Sequence, residues 1–124
     1  MHSEDKRWFE RVIGNLMTLN EYQQAALATA CYPKDMSILY PVLGLSGETG
    51  EVADKIKKVY RDHNGEFSDE QRRAIAMELG DVMWYCASLA HDLGFTLDNI
   101  AQMNISKLAS RLQRGAISGN GDNR

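Results

Sequence analysis

Apolar residues recur at three- and four-residue spacing through most of the chain, as in amphipathic helices. They predict helices over residues 4–16, from Thr18 to before Pro33, from about Pro41 to Asp62, from Ser68 to about Leu93, and over about 97–114. No segment alternates apolar and polar residues in the way of a half-buried strand. We therefore predict an all-α fold, an antiparallel helix bundle with short connections.

The helix boundaries are set by local sequence signals. Thr18 with Glu21 and Ser68 with Gln71 are spaced as capping boxes, and Thr96 is a candidate N-cap for the last helix. Gly94 and Gly115 mark helix ends. The last helix is expected to bury its apolar residues, which are Leu97, Ile100, Ile105, Leu108 and Leu112.

Two acidic pairs lie beside the apolar stripes of the third and fourth helices: Glu48 with Glu51, and Glu78 with Asp81. Residues three apart share a helix face, so each pair can point at one place. If the two helices pack together, four carboxylates converge and repel one another unless a cation lies among them. Oxygen ligands suit Mg²⁺, Mn²⁺ or Ca²⁺ better than zinc or copper. The pattern predicts a metal site, although such pairs also occur on solvated helix faces.

Other kinds of metal site fit the sequence less well. Di-iron bundles use Glu-x-x-His motifs, whereas the residues three after Glu48 and Glu78 are both acids.

Mg²⁺ commonly bridges carboxylates to substrate phosphates, and nearby polar and cationic residues would contact such an anion. The candidates are Lys55, Lys58, Arg61, Asn104, Lys107 and Arg111. Gly44, Gly47 and Gly50, on the first acidic helix, indicate either close helix packing or room for a ligand.

Composition narrows the possible functions. The chain has 124 residues and a formal net charge of −3, so general nucleic-acid binding is not expected. It has no apolar run long enough to span a membrane and no apolar signal segment, so we expect a cytoplasmic protein without a membrane partner. Cys31 and Cys86 lack metal-ligand spacing and are expected to be reduced packing residues.

The acidic motifs and their flanking residues resemble the MazG-like, all-α nucleoside triphosphate pyrophosphohydrolases. The similarity lies in the segments 44–51 and 78–82, with their E-x-x-E and E-x-x-D motifs, and in the Asn-x-x-Lys segment at Asn104 and Lys107. It covers roughly residues 20–114.

The resemblance implies a homodimeric or homotetrameric enzyme that depends on Mg²⁺, with Mn²⁺ as a substitute. It would convert a nucleoside triphosphate to the monophosphate and pyrophosphate, for nucleotide-pool control or house-cleaning. By the same resemblance Glu48, Glu51, Glu78 and Asp81 hold metal, and Glu48 or Glu51 takes the proton of the attacking water. Candidate substrate-binding residues are Lys55, Lys58, Tyr85, Asn104, Lys107, Arg111 and Arg124. Tyr22, Trp84 and Tyr85 either stack on the base or simply pack in the protein.

The chain is expected to form one domain over residues 1–124, with a helical arm at 1–17, a core at 18–114 and a flexible tail at 115–124. The arm packs on its own domain or on a neighbouring subunit. The tail, which ends at Arg124, closes over the substrate or has no role. Two other functions stay open: a regulatory module that binds Mg²⁺-nucleotide without turnover, and a structural bundle with surface acids.

Overall fold

The structure is a computed structural model that describes residues 17–122. These residues form four α-helices and a short 3₁₀ helix and contain no strand, which confirms the all-α prediction for this part of the chain. The helices are α1 (Leu19–Leu27), the 3₁₀ helix (Lys34–Met36), α2 (Leu39–His63), α3 (Asp69–Asp92) and α4 (Leu97–Gln113). The predicted helix over residues 4–16 and the last two residues, Asn123 and Arg124, lie outside the described residues.

Three of the four helices begin at the predicted caps. The hydroxyl of Thr18 accepts a hydrogen bond from the Glu21 backbone N–H, and the Glu21 carboxylate accepts one from the Thr18 N–H. The same reciprocal pair occurs at the start of α3 and at the start of α4. Each box satisfies two backbone donors that a helix N-terminus otherwise leaves unpaired.

Helices α2 and α3 form the main packing unit and run antiparallel. Near one end the Ile38 N–H donates to Asp92 Oδ2, and near the other end Lys55 Nζ lies 3.5 Å from Glu78 Oε1. The residue numbers of the contacts increase along α2, from Ile38 to Lys55, and decrease along α3, from Asp92 to Glu78. The two helices are therefore antiparallel. Helix α1 packs against α3 and α4.

The start of α2 differs from the prediction, because the helix begins at Leu39 rather than near Pro41. Ile38 has φ 69° and ψ −54°, and the Leu39 N–H donates to the Ser37 carbonyl at 2.7 Å. This is a γ-turn of the strained kind. Asp92 holds it by accepting hydrogen bonds from the Ile38 N–H and the Tyr32 hydroxyl, both at 2.9 Å.

The buried positions among residues 17–122 are mostly small side chains. They are Gln23, Ala25, Ala26, Pro41, Val59, Ala87, Ser88, Ala90 and Arg111. The expected burial of the apolar residues of α4 is wrong for the single chain: Leu97 is half-buried, and the other four are exposed. The periodic pattern identified an apolar face correctly, but no other element of the described chain covers it.

The cysteines were predicted to be reduced packing residues. Cys31 and Cys86 are both free, as expected, but both are exposed rather than packed. Among residues 17–122, no helix is both long enough and apolar enough to cross a membrane.

Candidate metal and nucleotide site

Three of the four predicted acids come together between α2 and α3. Glu48, Glu78 and Asp81 each offer a carboxylate oxygen, and these oxygens lie within 4.8 Å of one another. Glu48 comes from α2 and the other two from α3, so the antiparallel packing of these helices brings the group together. Glu48 and Glu78 are partly buried and Asp81 is exposed. Exposed acids alone are common in proteins, but a partly buried group of three from two helices is a more specific feature.

The negative charges of these carboxylates repel one another. The pKa of Glu48 is raised, first by a hydrogen bond with the Glu78 carboxyl group, then by burial and by the negative charges of Asp81, Glu78 and Glu51. Two carboxylates can share a hydrogen bond only when a proton lies between them, so without a cation the group favours holding a proton. A divalent cation among the oxygens would relieve the same repulsion.

Glu51, the fourth predicted ligand, is exposed and lies outside the group of three. It is one helical turn from Glu48 on α2, close enough for its charge to raise the pKa of Glu48. The structure therefore separates the predicted set into three converging carboxylates and a fourth one beside them.

Of the two lysines predicted on α2, only Lys55 lies against the acids. Its Nζ is 3.5 Å from Glu78 Oε1, and its side chain is partly exposed. Lys58 instead pairs with Asp54, with its Nζ 2.7 Å from Oδ2. Lys57 Nζ lies 2.9 Å from Oδ1 of the same carboxylate. Hydrogen bonds from these two lysines lower the pKa of Asp54 to about 2. Lys55 thus balances part of the negative charge at the acid group, whereas Lys58 already has its own partner.

A cavity of about 300 Å³ opens beside the acids. Its walls are formed by Thr29, Glu48, Asp81, Trp84 and Tyr85. The rings of Trp84 and Tyr85 meet edge to face, with centroids 5.0 Å apart. The indole N–H of Trp84 donates to the Thr29 hydroxyl at 2.8 Å, which fixes the ring at the cavity wall. The sequence had singled out both aromatic residues but not Thr29 as a site residue, because nothing local reveals this contact between α3 and the end of α1.

The sequence suggested that the glycines of α2 allow either close helix packing or room for a ligand. Each interpretation fits some of them. A Cβ atom at Gly44 would overlap the Tyr85 ring, so Gly44 permits close packing of that ring on α2. Cβ atoms at Gly47 and Gly50 would meet nothing within 4 Å. Gly44 is therefore a packing residue, and the other two leave open space beside the acids.

A larger cavity, of about 820 Å³, lies elsewhere, at the turn between α2 and α3. It is lined by residues 63–64, 66–68, 70–71 and 74, and none of the three clustered acids is among them. The smaller cavity is the better candidate, because it joins acidic ligands to aromatic walls.

Two of the predicted residues of α4 contact Asp122 and not the clustered acids. Lys107 Nζ and Arg111 Nη2 both contact Asp122 Oδ1, at 3.3 and 3.0 Å. Asn104 is exposed. Within residues 17–122 the structure shows no hydrogen bond or ion pair between these three residues and the clustered acids. Arg124 lies outside the described residues.

Comparison with known proteins gives two matches. A family model described as the MazG nucleotide pyrophosphohydrolase domain matches residues 39–115, which span α2, α3 and α4. The chain is also similar to the gene 37 protein of Mycobacterium phage L5, with 46% identity over 114 residues that cover 87% of this chain and 100% of that protein. No solved structure matches the chain significantly.

Proposed function

The chain belongs to the MazG nucleotide pyrophosphohydrolase family, and on that basis we propose that it hydrolyses a nucleoside triphosphate to the monophosphate and pyrophosphate. The observation that carries this proposal is the group of three carboxylates from two helices, beside a cavity with aromatic walls. The proposed role is control or cleaning of the nucleotide pool.

The donor set supports Mg²⁺ as the cofactor, with Mn²⁺ as a substitute. All three groups that converge are carboxylates, and hard oxygen ligands favour these ions. When bound, Mg²⁺ would supply charge neutralisation at the phosphates and a more acidic water. Glu48, Glu78 and Asp81 would hold it, since their oxygens already lie close together.

The other residues of the site have roles that follow from their positions. Glu51 is exposed beside the group, so its lone pairs are available, and we assign it the role of accepting the proton of the attacking water. Lys55, beside Glu78, would contact a phosphate oxygen. Trp84 and Tyr85, at the cavity wall, would lie against the base. Lys58 and Asn104 remain proposed substrate contacts on the family resemblance alone.

The proposal is tested by incubating the protein with a panel of canonical and damaged nucleoside triphosphates, with and without Mg²⁺, and separating the products. We expect monophosphate and pyrophosphate, formed only when the metal is present. Diphosphate and phosphate as products would contradict the proposal. Binding of Mg²⁺-nucleotide without turnover would instead identify a regulatory module.

Two variants separate metal binding from proton transfer. Asp81→Asn should weaken Mg²⁺ binding, measured by calorimetry, and abolish hydrolysis, because it replaces a charged carboxylate ligand with a neutral amide. Glu51→Gln should retain Mg²⁺ binding and lower kcat by about 10²- to 10⁴-fold, as expected for loss of a general base. Loss of Mg²⁺ binding in Glu51→Gln would make Glu51 a fourth ligand instead. Glu70→Gln, an exposed acid in the first turn of α3, is the control for the charge change.

We also propose that the working form is a homodimer or homotetramer. Large apolar side chains are exposed on α2, α3 and α4 of the single chain. Contiguous exposed apolar surface is typical of an interface.

A further inference from the structure

The aromatic wall of the cavity beside the acids is one end of a longer row of rings. Tyr85 lines the cavity together with Trp84, and its ring also lies 6.4 Å from the ring of Tyr40, at an interplanar angle of 46°. Tyr40 in turn stacks on Tyr32, with centroids 4.9 Å apart and an interplanar angle of 17°. Ring pairs with centroids about 4.5–7 Å apart attract one another. Trp84, Tyr85, Tyr40 and Tyr32 therefore form a continuous aromatic row, of which only the first two line the cavity.

The end of the aromatic row away from the cavity is held by one carboxylate. Asp92 Oδ2 accepts a hydrogen bond from the Tyr32 hydroxyl and another from the Ile38 N–H, both at 2.9 Å. Hydrogen bonds to a charged acceptor are stronger than neutral ones. Ile38 is two residues before Tyr40 in the chain. Asp92 thus holds both the ring that stacks on Tyr40 and the backbone that leads to it.

Helix α2 provides a flat surface for the Tyr85 ring next to Tyr40. Tyr40, Gly44 and Glu48 follow one another at intervals of four residues and share one face of α2. A Cβ atom at Gly44 would overlap the Tyr85 ring, so the ring lies against the glycine backbone. Burial raises the pKa of Tyr85, and the charges of Tyr40 and Glu48 raise it further. The phenol therefore lies between the aromatic row and the acids, and Gly44 offers no side chain to hold it there.

We propose that Tyr40 is a positioning residue for substrate recognition, because it holds the Tyr85 ring where the base of the nucleotide binds. Asp92 and Tyr32 act one step further away, by holding Tyr40. The inference rests on the proposed function, since it takes the cavity to be the place of the base. It assigns a role in nucleotide binding to residues that do not line the cavity.

The test measures binding of α,β-imido nucleoside triphosphates with adenine, guanine, cytosine and thymine bases, by calorimetry with Mg²⁺. Their bridging nitrogen blocks cleavage between the first two phosphates. For the analogue that the unmodified protein binds best, Tyr40→Leu should weaken binding about three- to tenfold, the range expected for an aromatic contact. Tyr40→Phe keeps the ring and should restore the affinity of the unmodified protein.

Tyr60→Leu is the matched control. It makes the same change on the same helix, about three turns beyond Glu48, at a ring that pairs with Phe67 instead. It should leave the affinity for the nucleotide analogue unchanged. If Tyr60→Leu weakens binding as much as Tyr40→Leu does, the effect is not specific to the aromatic row and the proposal is wrong.

A ligand without a base separates positioning of Tyr85 from a general defect of the site. Inorganic tripolyphosphate has the phosphate chain of the substrate, so Tyr40→Leu should bind it with unchanged affinity in Mg²⁺. If Tyr40 only supports the fold, Tyr40→Leu will lower Tm and weaken binding of both ligands alike, which overturns the proposal. Unchanged binding of both ligands to Tyr40→Leu overturns it as well.

The order of the aromatic row gives a further measurement. Tyr32→Leu should weaken binding of the nucleotide analogue less than Tyr40→Leu does, because it removes only the support behind Tyr40. The double variant should bind no more weakly than Tyr40→Leu alone, since Tyr32 acts through Tyr40. Additive losses would show that the two rings act separately. All these results are binding constants, so nucleotide binding without hydrolysis in the unmodified protein would count against the proposed function only.

Discussion

At the scale of single residues, Asp92 shows how one side chain can hold two elements. Its carboxylate accepts from the Tyr32 hydroxyl, in the segment after α1, and from the Ile38 N–H, at the start of α2. Charge-assisted hydrogen bonds of this kind are stronger than neutral ones. Asp92 therefore fixes the approach of the chain to α2, the helix that carries Glu48.

The contact with Asp92 gives a pH prediction. Burial, and then the hydrogen bond to Asp92 and its charge, raise the pKa of Tyr32 to about 12. Because this lies above the unfolded value of about 10, the stabilisation is fully present below pH 10 and is lost as the pH rises through 12. Alkaline titration followed by tyrosine absorbance near 295 nm should show a late component. In Tyr32→Phe the late absorbance change should lose the amplitude of one tyrosine, while the raised pKa values of Tyr22 and Tyr85 leave part of it in place. An unchanged amplitude would contradict the assignment.

The candidate site was only partly visible in the sequence. Helical spacing singled out Glu48, Glu78 and Asp81, because i, i+3 pairs beside the apolar stripes of two helices that pack together lie close to the contact between those helices. It could not separate Glu51 from them, since spacing gives the face of a helix but not the reach of a side chain. The contact of Trp84 with Thr29 joins distant parts of the chain and has no local signal at all.

At the scale of elements, a helix boundary could be predicted where its hydrogen bonds join residues close in sequence, and not where they join distant ones. The starts of α1, α3 and α4 lie at capping motifs. Their hydrogen bonds join residues three apart, so the motifs can be recognised from neighbouring residues in the sequence. The start of α2 has no side-chain cap of its own, and its strained turn is held by Asp92, 54 positions further along the chain. No local pattern predicts such a boundary.

The packing of α2 on α3 gives a prediction about glycine. Gly44→Ala adds a methyl group where the Tyr85 ring lies, so the ring must move away from α2. Overpacking of this kind costs about 1–3 kcal/mol, and over most of that range the cost exceeds the roughly 1 kcal/mol that alanine contributes to a helix relative to glycine. We expect a net loss of stability in chemical denaturation.

Gly50→Ala is the matched control, because a Cβ atom there meets nothing within 4 Å. It makes the same chemical change in the same helix and should raise stability by up to about 1 kcal/mol. If the two variants unfold at the same denaturant concentration, Gly44 has no special packing role.

At the scale of the whole molecule, the exposed face of α4 is a feature that the packing of residues 17–122 does not explain. Ile105, Leu108 and Leu112 lie at positions i, i+3 and i+7 of the helix and therefore form one stripe. Ile105 is 60% exposed and Leu112 is 72% exposed. The sequence predicted this stripe as buried, and the prediction failed because periodicity reports which residues are apolar together, not which surface covers them.

A second copy of the chain is the occupant that we propose for this stripe. If so, the protein should sediment as a dimer or tetramer at micromolar concentration, and Ile105→Lys should shift it towards monomer, because a buried unpaired ammonium is costly. Gln113→Lys adds the same charge to the same helix about 80° of helical arc from Ile105, outside the stripe, and should leave the assembly intact. Circular dichroism of both variants checks that α4 still forms. A protein that sediments only as monomer, or an Ile105→Lys variant that assembles normally, would show that the stripe of α4 is not the interface.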